Sequence, residues 1–115
     1  MRDMGTAFAQ EAVRIHRVAH LSDVQIGKAA GAAPSTVRGW LALRSSPSGK
    51  RAERVAELAE IVDRLVRVMD PDYIPVWLSK PIEILDDQKP LELIAKGKAR
   101  RVAQVVSGLE SPGAV

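Results

Sequence analysis

The chain has no cysteine in its 115 residues, so disulfides and thiolate metal sites are excluded. Aromatic residues are nearly as scarce: Phe8, Trp40, Tyr73 and Trp77 make up the whole set, 3% of a chain that is 46% hydrophobic. The core must therefore be built from Ala, Val, Leu and Ile. Alanine-rich aliphatic stripes with so little Tyr, Phe and Thr favour helix over sheet. No apolar run approaches bilayer length, and the start MRDMGTAF lacks the apolar stretch of an export signal, so the expectation is a cytoplasmic protein. Cofactor fingerprints, phosphate-cradling glycine patterns and nucleophile motifs are also missing. Asp86 and Asp87 are adjacent and cannot flank one bond as a catalytic pair, and His16 and His20, four apart, have no third ligand type near them. The expectation is a non-enzyme with no catalytic residue, no metal and no cofactor. A net charge of +3 permits a nucleic-acid partner without demanding one.

Most of the information lies in Leu21 to Leu41, LSDVQIGKAAGAAPSTVRGWL. Ser22 is a natural N-cap, and Gly31 stands where a left-handed residue ends a helix. Pro34 suits the first position of a second helix. Val37, Trp40 and Leu41 give that helix an apolar stripe, while Gly27 and Ala30 permit a close crossing. Before this corner, Phe8, Ala12, Ile15 and Ala19 mark the buried face of a first helix over about 7–20. After it comes Arg44-Ser-Ser-Pro-Ser-Gly-Lys-Arg, a turn-rich loop carrying Arg44, Lys50 and Arg51, suited either to phosphate contacts or to plain solvation. The longest helix is expected over about 50–69, with a stripe of Val55, Leu58, Ala59, Val62, Leu65, Val66 and Met69. Ile61 and Val68 widen that stripe, which leaves open a dimer seam or simple coverage of the first three helices. Glu60 with Arg64 and Asp63 with Arg67 have the spacing of intrahelical ion pairs.

Asp70-Pro-Asp-Tyr-Ile-Pro breaks the periodicity, and the expected division is 1–69 and 70–115. In the second part prolines precede short helices near 75–78, 81–85 and 90–96, with Gly97 ending the third. A last helix from Lys98 to Ser107 or Gly108 buries Ala99, Val102, Ala103 and Val106. A tail without periodicity closes the chain.

The 21–41 segment resembles the helix-turn-helix of the Xre (phage repressor-like) DNA-binding family through Gly27, Gly31, Val37 and Trp40. The resemblance implies that Ala33 to Gly39, Val37 apart, faces a major groove. There Arg38 can pair bidentately with guanine, and Ser35 and Thr36 can exchange single hydrogen bonds with bases. Gly39 departs from the pattern, since glycine inside a helix costs roughly 1 kcal/mol against alanine.

The rear string, VWLSKPIEILDDQKPLELIAKGKARRVAQVVSGL, resembles the toxin-binding domain of Xre/MbcA/ParS-type antitoxins. Trp77-Leu78, Pro81, Leu85, Pro90-Leu91-Glu92-Leu93-Ile94, Gly97, Val102 and Val106 carry the likeness. The resemblance implies an all-α protein, a helix-turn-helix bundle followed by a small helical toxin-binding module. It also implies an antitoxin that neutralises a RES-domain, NAD-degrading toxin and represses its own operon. By that resemblance Trp77, Leu78, Pro90, Leu91, Leu93, Gly97, Arg100 and Arg101 belong to the toxin-binding part. The terminal Leu109, Pro112, Gly113, Ala114 and Val115 would block the toxin's active site. Here the glycine comes late with no aromatic beside it, so the tail reads equally as a plug or as ordinary disorder. The implied partners are the toxin and operator duplex, in a homodimer or a hetero-oligomer with toxin. The rival reading is a free-standing phage or plasmid repressor whose rear half only dimerises.

Overall fold

The computed structural model describes residues 4–111. Its elements are helical: α1 (Met4–Ala19), α2 (Asp23–Ala30), α3 (Pro34–Leu41), α4 (Gly49–Leu65), α5 (Ile74–Ser79), α6 (Pro90–Ala95) and α7 (Ala99–Glu110), with short 3-10 turns at Pro71–Tyr73 and Glu83–Leu85. The chain is all-α. Among the described residues the only extended pairing is an isolated bridge between Ile82 and Gln88. No helix of the described residues is long and apolar enough to cross a membrane.

Each boundary has a local cause. Ser22 caps α2 by accepting from the Gln25 backbone N–H at 3.1 Å, and the Gln25 side chain returns to the Ser22 N–H at 3.1 Å, a reciprocal capping box. Gly31 ends α2 at φ +74, the left-handed region that glycine enters freely. Pro34 then opens α3. Gly97 repeats the device after α6 at φ +79. In the rear half Pro75 and Pro90 stand in first helical turns as expected. Pro81 differs, because the next residue, Ile82, pairs with Gln88 instead of entering a helix. Only Glu83–Leu85 winds, and the loop turns on Asp86 and Asp87 at φ 58 and 62. Two successive left-handed residues without glycine are uncommon, and Asp is among the side chains that tolerate them.

The breadth of the α4 stripe now has a cause. α4 packs against α1 and α2 on one side and against α6 and α7 on the other, so it is apolar over more than one contact's width. Ile61 is buried with Val55, Leu58, Ala59, Val62 and Leu65. The helix stops at Leu65, and Val66 is exposed past its end. The i,i+4 pairs expected along α4 yield to partners on other helices. Asp63 accepts from Arg14 of α1, while Arg64 reaches Glu110 at 2.7 Å and Ser107 at 2.8 Å on α7.

A single cluster of buried side chains runs from Ala9 through Trp40, Leu58 and Trp77 to Val106. It is aliphatic, as the composition required, and the two tryptophans fill its front and rear parts. Like Arg64, the Gln25 side chain stitches those parts together. Besides closing the α2 cap, Gln25 donates to the Pro75 carbonyl at 3.0 Å and the Ser79 hydroxyl at 2.8 Å in α5. Among the described residues no polar or charged side chain is fully buried, so the ion pairs lie at the rim of the core.

Candidate nucleic-acid and partner interfaces

The front surface is set by the α2–α3 corner. Ala32 and Gly31 both donate to the Gly27 carbonyl, at 2.9 and 2.8 Å, which folds the chain back tightly over Gly27. A Cβ on Gly27 would overlap the Ala32 carbonyl oxygen. Glycine is therefore required there by close backbone approach. The corner buries Val37 and Trp40 and leaves Ser35 and Arg38 exposed on α3, with Thr36 half-buried.

Gly39 has a structural reason that the sequence did not reveal. Arg44 donates its backbone N–H to the Gly39 carbonyl at 2.9 Å, and the Ser45 hydroxyl lies 2.8 Å from where a Gly39 Cβ would stand. The missing side chain lets the 42–48 loop fold back onto α3, which brings the Arg44 backbone against the helix. Arg51, in the first turn of α4, donates to the Gly31 carbonyl at 3.2 Å and so lies against the corner. Lys50 is exposed beside it. Thus α3, the basic loop and the start of α4 are joined by hydrogen bonds around one corner.

Arg38 is not free. Its Nη1 donates to the Asp23 carboxylate at 2.7 Å, linking α3 to the first turn of α2. Arg38 holds the Asp23 carboxyl below its ordinary range, and the Val24 backbone N–H adds to the effect. Nothing in the sequence ranked this pair above other acid–base combinations.

The rear residues divide into two kinds. Trp77, Leu78, Pro90, Leu91 and Leu93 are buried. Their side chains hold α5 and α6 in the core and do not line the outer surface. Gly97, Arg100 and Leu109 are exposed and Arg101 is half-exposed. The Gly97 turn leaves room for Arg54 of α4, whose Nη2 lies 2.9 Å from the position a Cβ would take. Arg101 pairs with Asp86 at 3.1 Å and so ties α7 to the left-handed turn. Arg100 borders a shallow recess between α4 and α7, together with Glu57, Glu60, Ile61 and Arg64. Glu110 is drawn below the usual carboxylate range by the Arg64 guanidinium, which is raised in turn. Pro112, Gly113, Ala114 and Val115 lie outside the described residues.

The histidines do not converge. His16 Nδ1 is 2.7 Å from the Leu21 carbonyl, while His20, at φ 60 just past α1, lies 3.1 Å from Asp72. Among the described residues no group of His, Asp and Glu could hold a metal ion.

No family model matches the chain. Individual proteins do. The chain is 29% identical over 85 residues to the mycobacterial cidal antitoxin MbcA of Mycobacterium tuberculosis, a match covering 74% of this chain and 75% of that protein. The MbcA of Mycobacterium bovis matches to the same extent. In three dimensions it superposes on a chain from the crystal structure of the M. tuberculosis MbcT–MbcA toxin–antitoxin complex, with a TM-score of 0.82. That superposition covers 95% of this chain and 98% of the other at 26% identity. The chain is a homologue of MbcA. The structural likeness to that chain reaches beyond the 85 aligned residues and spans the front corner and the rear module alike.

Proposed function

We propose that this protein is an antitoxin. It binds and neutralises a cognate RES-domain, NAD-degrading toxin, and it represses its own operon by placing α3 in the major groove of operator DNA. It carries out no chemistry itself and needs no cofactor. The observation that carries the reading is the match over 95% of the chain to a component of a toxin–antitoxin complex. The functional division falls at Asp70. Residues 1–69 hold the DNA surface, with Ser35, Thr36 and Arg38 toward bases and Arg44, Lys50 and Arg51 toward phosphates. Residues 70–115 hold the toxin surface, with Gly97, Arg100, Arg101 and Leu109 outermost and the last four residues blocking the active site.

The anchoring of α7 supports that role for the tail. Arg64 holds Ser107 and Glu110, so the end of α7 is fixed two residues before Pro112. A short segment launched from a fixed point loses less entropy on ordering than one on a loose stem.

The test is co-expression with the neighbouring gene, followed by affinity capture and a gel shift on the upstream DNA. The expected result is co-purification of the pair and a shift that weakens steeply with salt, because each phosphate contact releases condensed counterions. Arg38→Ala should weaken operator binding and leave neutralisation intact. Truncation after Ser111 should do the reverse, and it spares Glu110 and hence the end of α7. Two products that never purify together would overturn the toxin assignment.

A further inference from the structure

An arginine that reads guanine uses two parallel N–H groups aimed at O6 and N7. Arg38 engages Asp23 through Nη1 alone, at 2.7 Å, and no other bond to its guanidinium appears among the described residues. Its Nε–Nη2 edge is therefore available, and the side chain is 60% exposed. The carboxylate that holds it is better fixed. Asp23 sits at the first position of α2, between Ser22 and Gln25, the two residues of the capping box, and its side chain is 24% exposed. The pair spans 15 residues and joins the two helices of the corner.

An exposed ion pair of this kind contributes little to stability. Its consequence is orientation. A free arginine on a basic surface is drawn to the nearest phosphate, whereas one tethered by Nη1 keeps a single direction and offers its remaining fork. We propose that Asp23 is a positioning residue for sequence reading: it tethers Arg38 by Nη1 so that the Nε–Nη2 edge meets a guanine and the guanidinium does not turn to the backbone. This rests on the DNA-binding reading above.

The test uses the full chain, wild type, Asp23→Ala and Arg38→Ala, each put through selection on a pool of randomised 20-base-pair duplexes. Titration of the selected duplex at several salt concentrations follows. Wild type should select a site with a required guanine that Arg38→Ala no longer requires. Asp23→Ala should reduce the preference for that guanine by about tenfold, the scale of one bidentate base contact. Its salt dependence should steepen by about one phosphate contact, because the released Arg38 turns to the backbone. Unchanged guanine preference in Asp23→Ala overturns the proposal while leaving DNA binding in place. So does a loss of affinity with no steepening, which marks Asp23 as a support for the fold alone; thermal unfolding of the variant checks that case. If wild type and Arg38→Ala select the same sites, the groove assignment itself fails and the tether with it.

Discussion

Two glycines that both lie within helices should respond to the same substitution with opposite sign. In α7, Gly108 has nothing within 4 Å of the position a Cβ would occupy. Gly108→Ala there gains helix propensity, reduced near a helix end to about 0.5 kcal/mol. In α2, Gly27→Ala places its methyl against the Ala32 carbonyl oxygen, with Val37 Cγ2 3.5 Å away on another side. The oxygen belongs to backbone, and the Ala32 N–H is itself committed to the Gly27 carbonyl at 2.9 Å, so it cannot swing aside as a side-chain end would. Overpacking costs about 1–3 kcal/mol, and a rigid neighbour puts this case near the top of that range. Subtracting a propensity gain of about 1 kcal/mol leaves a net loss of about 2 kcal/mol. The two variants should thus differ by about 2.5 kcal/mol, which for a domain of this size separates their melting temperatures by about 10 °C. Thermal and urea unfolding followed by circular dichroism measure it. Equal stabilisation by both substitutions would refute the close corner on which the front surface depends.

Truncating Trp77 to alanine should remove about 3–5 kcal/mol, since the residue is only 7% exposed and the cavity it leaves opens within the core cluster of the described residues. The signal of Trp40 in the front should then melt together with the helical signal of the whole chain; separate transitions would show that the halves fold independently. Acid should weaken the protein slightly through Asp23 and Glu110, whose carboxyls are held low by Arg38 and Arg64 but whose pairs are screened by solvent. A carboxyl lowered in the folded state contributes stability that is present above its unfolded value and lost as pH falls through the lowered one. Melting temperature should accordingly be insensitive to these groups between pH 6 and 8 and fall below about pH 4. Arg64→Ala should flatten part of that acid slope and speed amide exchange in the last turn of α7. An acid slope that survives unchanged in Arg64→Ala together with Arg38→Ala would assign it to other carboxylates.

Legibility in the sequence follows the range of the interaction. Ser22, Gly31 and Pro34 act within four residues of themselves, so the cap, the left-handed stop and the new start could be read directly and were found where expected. Pro90 and Gly97 marked α6 for the same reason. Pro81 misled because its neighbour Ile82 is satisfied across a loop by Gln88, and a proline says nothing of such a partner. Gly39 is unfavourable inside a helix on propensity alone, and its reason, the 42–48 loop resting on it, lies outside any helical spacing.

Composition and periodicity alone determined an aliphatic all-helical chain, the order of its principal helices and most of the residues that line the core, because burial of a stripe at helical spacing needs no knowledge of what covers it. Phe8 and Ala103, expected inside, are only half-buried, Val66 is exposed, and Ala9 is buried beside Phe8. Only the tertiary structure decided the pairings. Arg64 took Glu110 in place of Glu60, Arg14 took Asp63, Arg38 was tethered by Asp23, and Gln25 bridged to Ser79. Charged and polar arms are long, and many partners lie within their reach along the chain. Which one is met depends on how the helices cross, a property of the packed whole that no local window contains.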